Sequence, residues 1–160
     1  MDFEGEWIHG KRTGPGVKVN TVEGSRSIGV FNDGALEGIG AVTVGKKSEE
    51  STPYEYHGEF KKGVRHGYGV MVIDKIMYSG EFVDGIKSGY GAVIFENEVE
   101  YTGNIENEDI QGVGKYDSAR MTYHGMFVQG IQHGYGVMTM KDSTAAYEGM
   151  WENGQCSNCE

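Results

Sequence analysis

Glycine recurs in this chain at offsets too regular for ordinary loop usage, and those offsets restrict the fold more than anything else in the sequence. A first glycine falls at 5, 29, 58, 80, 103, 125 and 149. In the first six of these units a Gly-x-Gly follows nine and eleven residues later, as with Gly58, Gly67 and Gly69, or Gly125, Gly134 and Gly136. A spacing of 22 to 24 residues, stretched once to 29, marks a tandem array in which each unit covers the next. The long interval contains residues 45–53, a polar run ending in a proline, which reads as a surface loop.

Within a unit the pattern is that of a strand. Tyr56, Gly58 and Phe60 alternate and therefore share one face, while His57 and Glu59 point the other way. A glycine between two aromatic residues leaves a slot where a ring can approach the backbone. Asn32-Asp33-Gly34, Lys61-Lys62-Gly63 and Val83-Asp84-Gly85 suit hairpin turns closed by a glycine in the left-handed region. Glu108 stands where the others have glycine, so Asn107 is expected to help there or the turn to be distorted. The runs after each turn, such as Val70-Met71-Val72-Ile73, are short and β-prone, and no helical period of useful length occurs. The expected fold is all-β: an elongated, twisted, single-layer antiparallel meander of stacked hairpins. The array covers residues 3–154, with repeats starting near 3, 27, 56, 78, 101 and 123 and a partial one at 147 that stops before its second strand. A tail with a Cys-x-x-Cys follows at 155–160.

Composition narrows the function. Twenty-four acidic against 14 basic residues give a net charge of −10. That balance opposes non-specific contact with nucleic acid and simple attachment to anionic lipid. The only cysteines, Cys156 and Cys159, cannot staple a secreted scaffold, so a reducing compartment and free thiols are expected. With no apolar span and no signal-peptide pattern at the start, a cytoplasmic location follows as an expectation, as does the idea that the chain is a piece of a longer protein.

The motif aromatic-x-Gly-x-aromatic-x-x-Gly, followed by His-Gly-Tyr-Gly at 66–69 and 133–136, resembles the MORN (membrane occupation and recognition nexus) repeat. The resemblance spans residues 3–154. It weakens in the second repeat, where Ser27 replaces the first aromatic, and in the fifth, which has Ile105 and Glu108. It implies a stacked-hairpin sheet with an aromatic-lined groove, and scaffolding roles at membrane–cytoskeleton junctions or in ciliary, motor and cell-division assemblies. It also implies two alternatives: a regulatory module of a lipid kinase, exchange factor or methyltransferase, and direct phospholipid recognition. Choline-binding repeats have similar composition but need more tryptophan for their cation cages than Trp7 and Trp151 supply.

No residue set suggests catalysis. His66 and His133 occupy equivalent repeat positions, as do His57 and His124, which marks them as structural rather than convergent. The expectation is a non-enzyme without a cofactor. Cys156 and Cys159 have the spacing of half a zinc site, which a histidine or a second chain would complete. The partner expected is a protein helix or peptide lying along a groove formed by Tyr56, Phe60, Tyr68, Tyr78, Phe82, Tyr90, Tyr101, Tyr123, Phe127, Tyr135, Tyr147 and Trp151. Ile28, Val30, Met126 and Met150 add apolar groups to the opposite face, and the unpaired terminal strand favours a homodimer.

Overall fold

The computed structural model describes residues 1–159, which fall into two compact units, Met1–Ile86 and the segment from Lys87 onward. The first unit contains β1 (Asp2–Ile8), β2 (Lys11–Asn20), β3 (Ser25–Asn32), β4 (Ala35–Val44), β5 (Tyr54–Lys61), β6 (Val64–Ile73) and β7 (Ile76–Val83). Each strand pairs antiparallel with its successor in the chain. The second unit repeats the plan with β8 (Ile86–Ile94), β9 (Glu100–Glu106), β10 (Asp109–Asp117), β11 (Met121–Val128), β12 (Ile131–Met140), β13 (Ala146–Glu152) and β14 (Gln155–Cys156). The meander of hairpins expected from the spacing is present. The seventh repeat goes further than expected: Gln155 and Cys156 form a short second strand against Glu152 and Trp151.

The turns explain the glycine at the end of each first strand. Lys62 and Gly63 both have positive φ (52° and 79°), the combination required by the two-residue turn that matches strand twist. Asn107 and Glu108 adopt the same conformation at 51° and 72°, so the glycine-less turn is not distorted. Glu108 is held there by side-chain contacts: its carboxylate accepts from the Lys87 backbone N–H at 2.9 Å and lies 3.1 Å from the Lys87 ammonium. Each turn also reaches its predecessor. In the first unit Gly34 N–H donates to Arg12 C=O (3.0 Å) and Gly63 N–H to Leu36 C=O (2.8 Å). In the second, Gly130 N–H donates to Ile110 C=O and Gly154 N–H to Gln132 C=O, both at 3.0 Å.

The Gly-x-Gly has two separate tasks. Its second glycine belongs to a row that crosses the sheet: Gly5, Gly16, Gly29, Gly40, Gly58, Gly69 and Gly80 pair in succession in the first unit. Gly91, Gly103, Gly114, Gly125, Gly136 and Gly149 do so in the second. Its first glycine sits in a bulge. Gly125 faces Gly136 but Met126 faces His133, so β12 carries two more residues than β11 over that step, and Gly134 takes φ +64° there. The polar segment at 45–53 is the expected loop, tied by Ser51 Oγ accepting from the N–H groups of Lys47 and Ser48.

The core is a ladder of rings laid on the glycine row. Tyr56, Tyr101 and Tyr123 are 0% exposed, and Phe31, Phe60, Tyr78, Phe82, Phe127 and Trp151 are buried with them. Tyr56 meets Phe60 of its own repeat at 5.1 Å and Phe82 of the next at 5.0 Å, both edge to face. Tyr123 does the same with Phe127 and Trp151, each at 5.2 Å. Such pairs each contribute about 0.5–1.5 kcal/mol beyond simple burial. A single sheet thereby makes its own core: the rings are its second layer.

Candidate functional site

Each buried tyrosine is anchored at both ends. The rings of Tyr56, Tyr101 and Tyr123 each cover two bare glycines, and every hydroxyl donates to the carbonyl three residues on: Tyr56 to Glu59 (3.0 Å), Tyr78 to Glu81 (2.8 Å), Tyr101 to Asn104 (2.9 Å), Tyr123 to Met126 (3.2 Å). Trp151 Nε1–H donates to Gly136 C=O at 3.1 Å. The fit leaves no room for a side chain, since a Cβ at Gly58 would lie 2.5 Å from the Tyr56 hydroxyl. Burial raises the Tyr56 and Tyr123 phenols above their ordinary value; burial, then the nearby Tyr90, pushes Tyr101 up to about 12.

A phenol with a raised folded pKa contributes stability that is intact below its unfolded value near 10 and disappears as pH climbs toward the folded value. The fold should therefore lose stability between pH 10 and about 12, with the buried phenols ionising only as it unfolds. Phenolate absorbance followed together with circular dichroism checks this. Buried phenols that titrate near 10 in an intact fold would contradict it.

Of the twelve aromatic residues expected to line a groove, eight form the packed ladder itself: Tyr56, Phe60, Tyr78, Phe82, Tyr101, Tyr123, Phe127 and Trp151. Their accessible surface is spent on one another. Tyr68, Tyr90 and Tyr135 lie on the opposite face instead, 63%, 59% and 55% exposed. The register dictates this. Gly67 faces Phe82 and Gly69 faces Gly80, so the residue between them faces Glu81 and turns away from the rings. The Tyr68 hydroxyl donates to the Glu81 carboxylate at 2.9 Å, and that of Tyr135 to Glu148. Glu59 closes the same corner by accepting from the Tyr68 backbone N–H (2.9 Å). Tyr147 is also displaced, 44% exposed, because the backbone of Asn158 occupies the space over Gly149 where its ring would lie.

The opposite face joins these tyrosines to Ile28, Val30 and Ile39 in the first unit and to Val113, Met126 and Met150 in the second, all exposed. The expected apolar addition to that face is therefore present, and larger than the sequence suggested. On the ring face, the first unit has a cavity of about 640 Å³ walled by Ser27, Phe31, Leu36, Val42, Val44, Tyr54, Tyr56, Phe60 and Arg65. Arg65 lies over the rings of Tyr54, Tyr56 and Phe82 at 5.7 to 5.9 Å and donates to Gly85 C=O at 3.0 Å. Nothing in the strand pattern announced a cavity. The one signal was the departure at Ser27.

The histidines do not converge. His57 Nε2 is 2.7 Å from Glu55, and His66 Nδ1 is 3.7 Å from Asp84, beyond hydrogen-bond reach. Among the described residues no cluster of three or more His, Cys, Asp or Glu side chains is placed to hold a metal. Cys156 and Cys159 are joined as a disulfide across a Cα separation of 5.8 Å, where the sequence led us to expect two free thiols. The short strand β14 and the Ser157 N–H bond to Met150 C=O (2.9 Å) fold the tail back and bring the two sulfurs together. Thiolate ligands for zinc would require that bond to be reduced.

No curated protein matches the chain. The MORN repeat family matches residues 3–19, 56–74, 78–97, 123–145 and 147–158, more than half of the sequence. The second and fifth repeats lie outside those segments, and they are the two with Ser27 and with Ile105 and Glu108. Their hairpins nonetheless have the same register as the rest. By its matched segments, its glycine row and its stacked hairpins, this chain belongs to the MORN-repeat family.

Proposed function

We propose that the chain is a non-catalytic binding scaffold that holds a segment of a partner protein against the ring face of its first unit. The supporting observation is the cavity on the ring face, whose walls combine the apolar Phe31, Val42, Val44 and Tyr54 with the polar Lys18, Glu23, Ser27 and Arg65. A rigid sheet whose side chains are locked by packing loses little freedom when a peptide docks, which favours recognition of a short segment. No helix among the described residues is long and apolar enough to cross a membrane. The net charge of −10 weighs against docking on anionic lipid. The exposed row Ile28, Val30 and Ile39 on the other face, beside Pro15 and Val17, supports a second contact surface.

Peptides selected from a displayed library against the whole chain, titrated into isotope-labelled protein, test the reading. Amide shifts should gather at Val42, Val44, Tyr54 and Arg65, and Val44→Arg should weaken binding at least tenfold with the melting temperature unchanged. Peptides that map to the Tyr68 face, or that bind the variant as well as the wild type, would overturn it.

A further inference from the structure

The ring ladder has one vacancy, and the neighbouring repeats show what fits it. In the third and sixth repeats a tyrosine lies over a glycine pair, between the Phe of its own repeat and the aromatic residue of the next. In the second repeat the glycine pair is Gly29 with Gly40 and the flanking rings are Phe31 and Phe60, both buried. The residue that should supply the ring is Ser27. Among the described residues no ring contact bridges Phe31 to Phe60, whereas Phe31 does touch Phe3 (5.1 Å) and Phe60 touches Tyr56.

Collapse around the vacancy is partial. Leu36 leans in, its Cδ2 3.0 Å from where a Gly29 Cβ would be, and the edge of Phe60 comes to 3.4 Å of the same position at Gly40. The ring-face cavity remains above them. Lys18 on β2 pairs directly with Ser27 on β3, and Arg65 forms part of the far wall, against the single carboxylate of Glu23. The mouth is therefore net positive on a chain of net charge −10.

We infer that this vacancy is a socket for a tyrosine side chain presented by a partner peptide with acidic residues beside it. The incoming ring replaces the missing one: it lies over Gly29 and Gly40, edge-on to Phe31 and Phe60, with Leu36 rotated aside. By repeat correspondence with Tyr56 and Glu59, its hydroxyl donates to the Val30 carbonyl. Flanking carboxylates face Lys18 and Arg65. The inference rests on the ring face of the first unit being the docking face, and adds the anchor residue that face selects.

The probes are the capped tripeptides Glu-Tyr-Glu, Glu-Phe-Glu, Glu-Ala-Glu and Lys-Tyr-Lys, titrated into the labelled full chain. Glu-Tyr-Glu should give saturable ring-current shifts at Gly29 and Gly40. Glu-Phe-Glu should bind about threefold more weakly for want of the hydroxyl bond, and Glu-Ala-Glu should not bind. Lys-Tyr-Lys should bind more weakly than Glu-Tyr-Glu, with the difference shrinking as salt is added. Ser27→Tyr fills the socket internally and should abolish the shifts. Leu36→Ala clears it and should strengthen binding at least threefold, so the idea stays testable if the first variant fails to fold. Equal shifts from the alanine peptide, or shifts that persist in a folded Ser27→Tyr protein, overturn the inference. So do shifts that appear on concentrating the protein alone, which would assign the socket to a second copy. Binding of a selected peptide that is lost in Val44→Arg but kept in Ser27→Tyr would refute the socket and leave the docking face standing. Selected peptides that map nowhere on the ring face would refute both.

Discussion

Tyr123→Ala is expected to lower the unfolding free energy by about 3–5 kcal/mol, as removal of a fully buried aromatic ring does. Three contributions are lost together. The ring is 0% exposed, it joins Phe127 to Trp151 through two edge-to-face contacts, and its hydroxyl satisfies the Met126 carbonyl. Tyr123→Phe keeps the ring and removes only the hydroxyl bond, so it should cost about 1 kcal/mol. Denaturant unfolding followed by circular dichroism measures both. Trp151 fluorescence in a Trp7→Phe background reports on the second unit alone, where the change belongs. If the alanine variant loses no more than the phenylalanine one, the ring contributes little and the ladder is not the core of this fold.

Gly69→Ala should be nearly as damaging for the opposite reason. Its added Cβ would come within 2.5 Å of Tyr56 Cζ and Cε2, with the ring backed by Phe60, Phe82 and Arg65 and unable to retreat. Overpacking of a filled core costs about 1–3 kcal/mol and occasionally more, and the upper end is expected here. Gly130→Ala is the useful contrast: nothing lies within 4 Å of its Cβ position, so only the strain of φ +76° remains, about 1–2 kcal/mol. A double-mutant cycle identifies the cause. In a Tyr56→Ala background the space over Gly69 is vacant, and Gly69→Ala should cost at least 2 kcal/mol less, roughly, than in the wild type. Additive effects would mean that the glycine is there for its backbone and not for the ring.

The same two residues show how far the sequence carries. That Tyr56, Gly58 and Phe60 share a face follows from strand alternation, and the structure places them so. What alternation does not give is where Tyr68 points. It is separated from Phe60 by a turn and by a bulge of two residues, and its side is fixed only by pairing with the following repeat. Tyr90 and Tyr135 follow the same register. Tyr147 shows a different limit: its own motif is intact, and the tail at Asn158 takes its place over Gly149. The disulfide belongs to the same tail, where a short strand brings together two cysteines that spacing alone left open.

The repeat, its hairpins, its turn glycines and its family were determined by the sequence alone. Those depend on local backbone requirements at fixed offsets, and local requirements are written residue by residue. Whether a ring is core or surface, and whether a missing ring leaves a socket, was decided only by the tertiary structure. Burial is a property of what lies on top, and for Tyr56 and Tyr123 part of that is a ring from a later strand, Phe82 and Trp151. Ser27 is the clearest case. The absent tyrosine can be read directly from the sequence, but that Leu36 and Phe60 lean over Gly29 and Gly40 and that a cavity lies beside them is visible only in the structure.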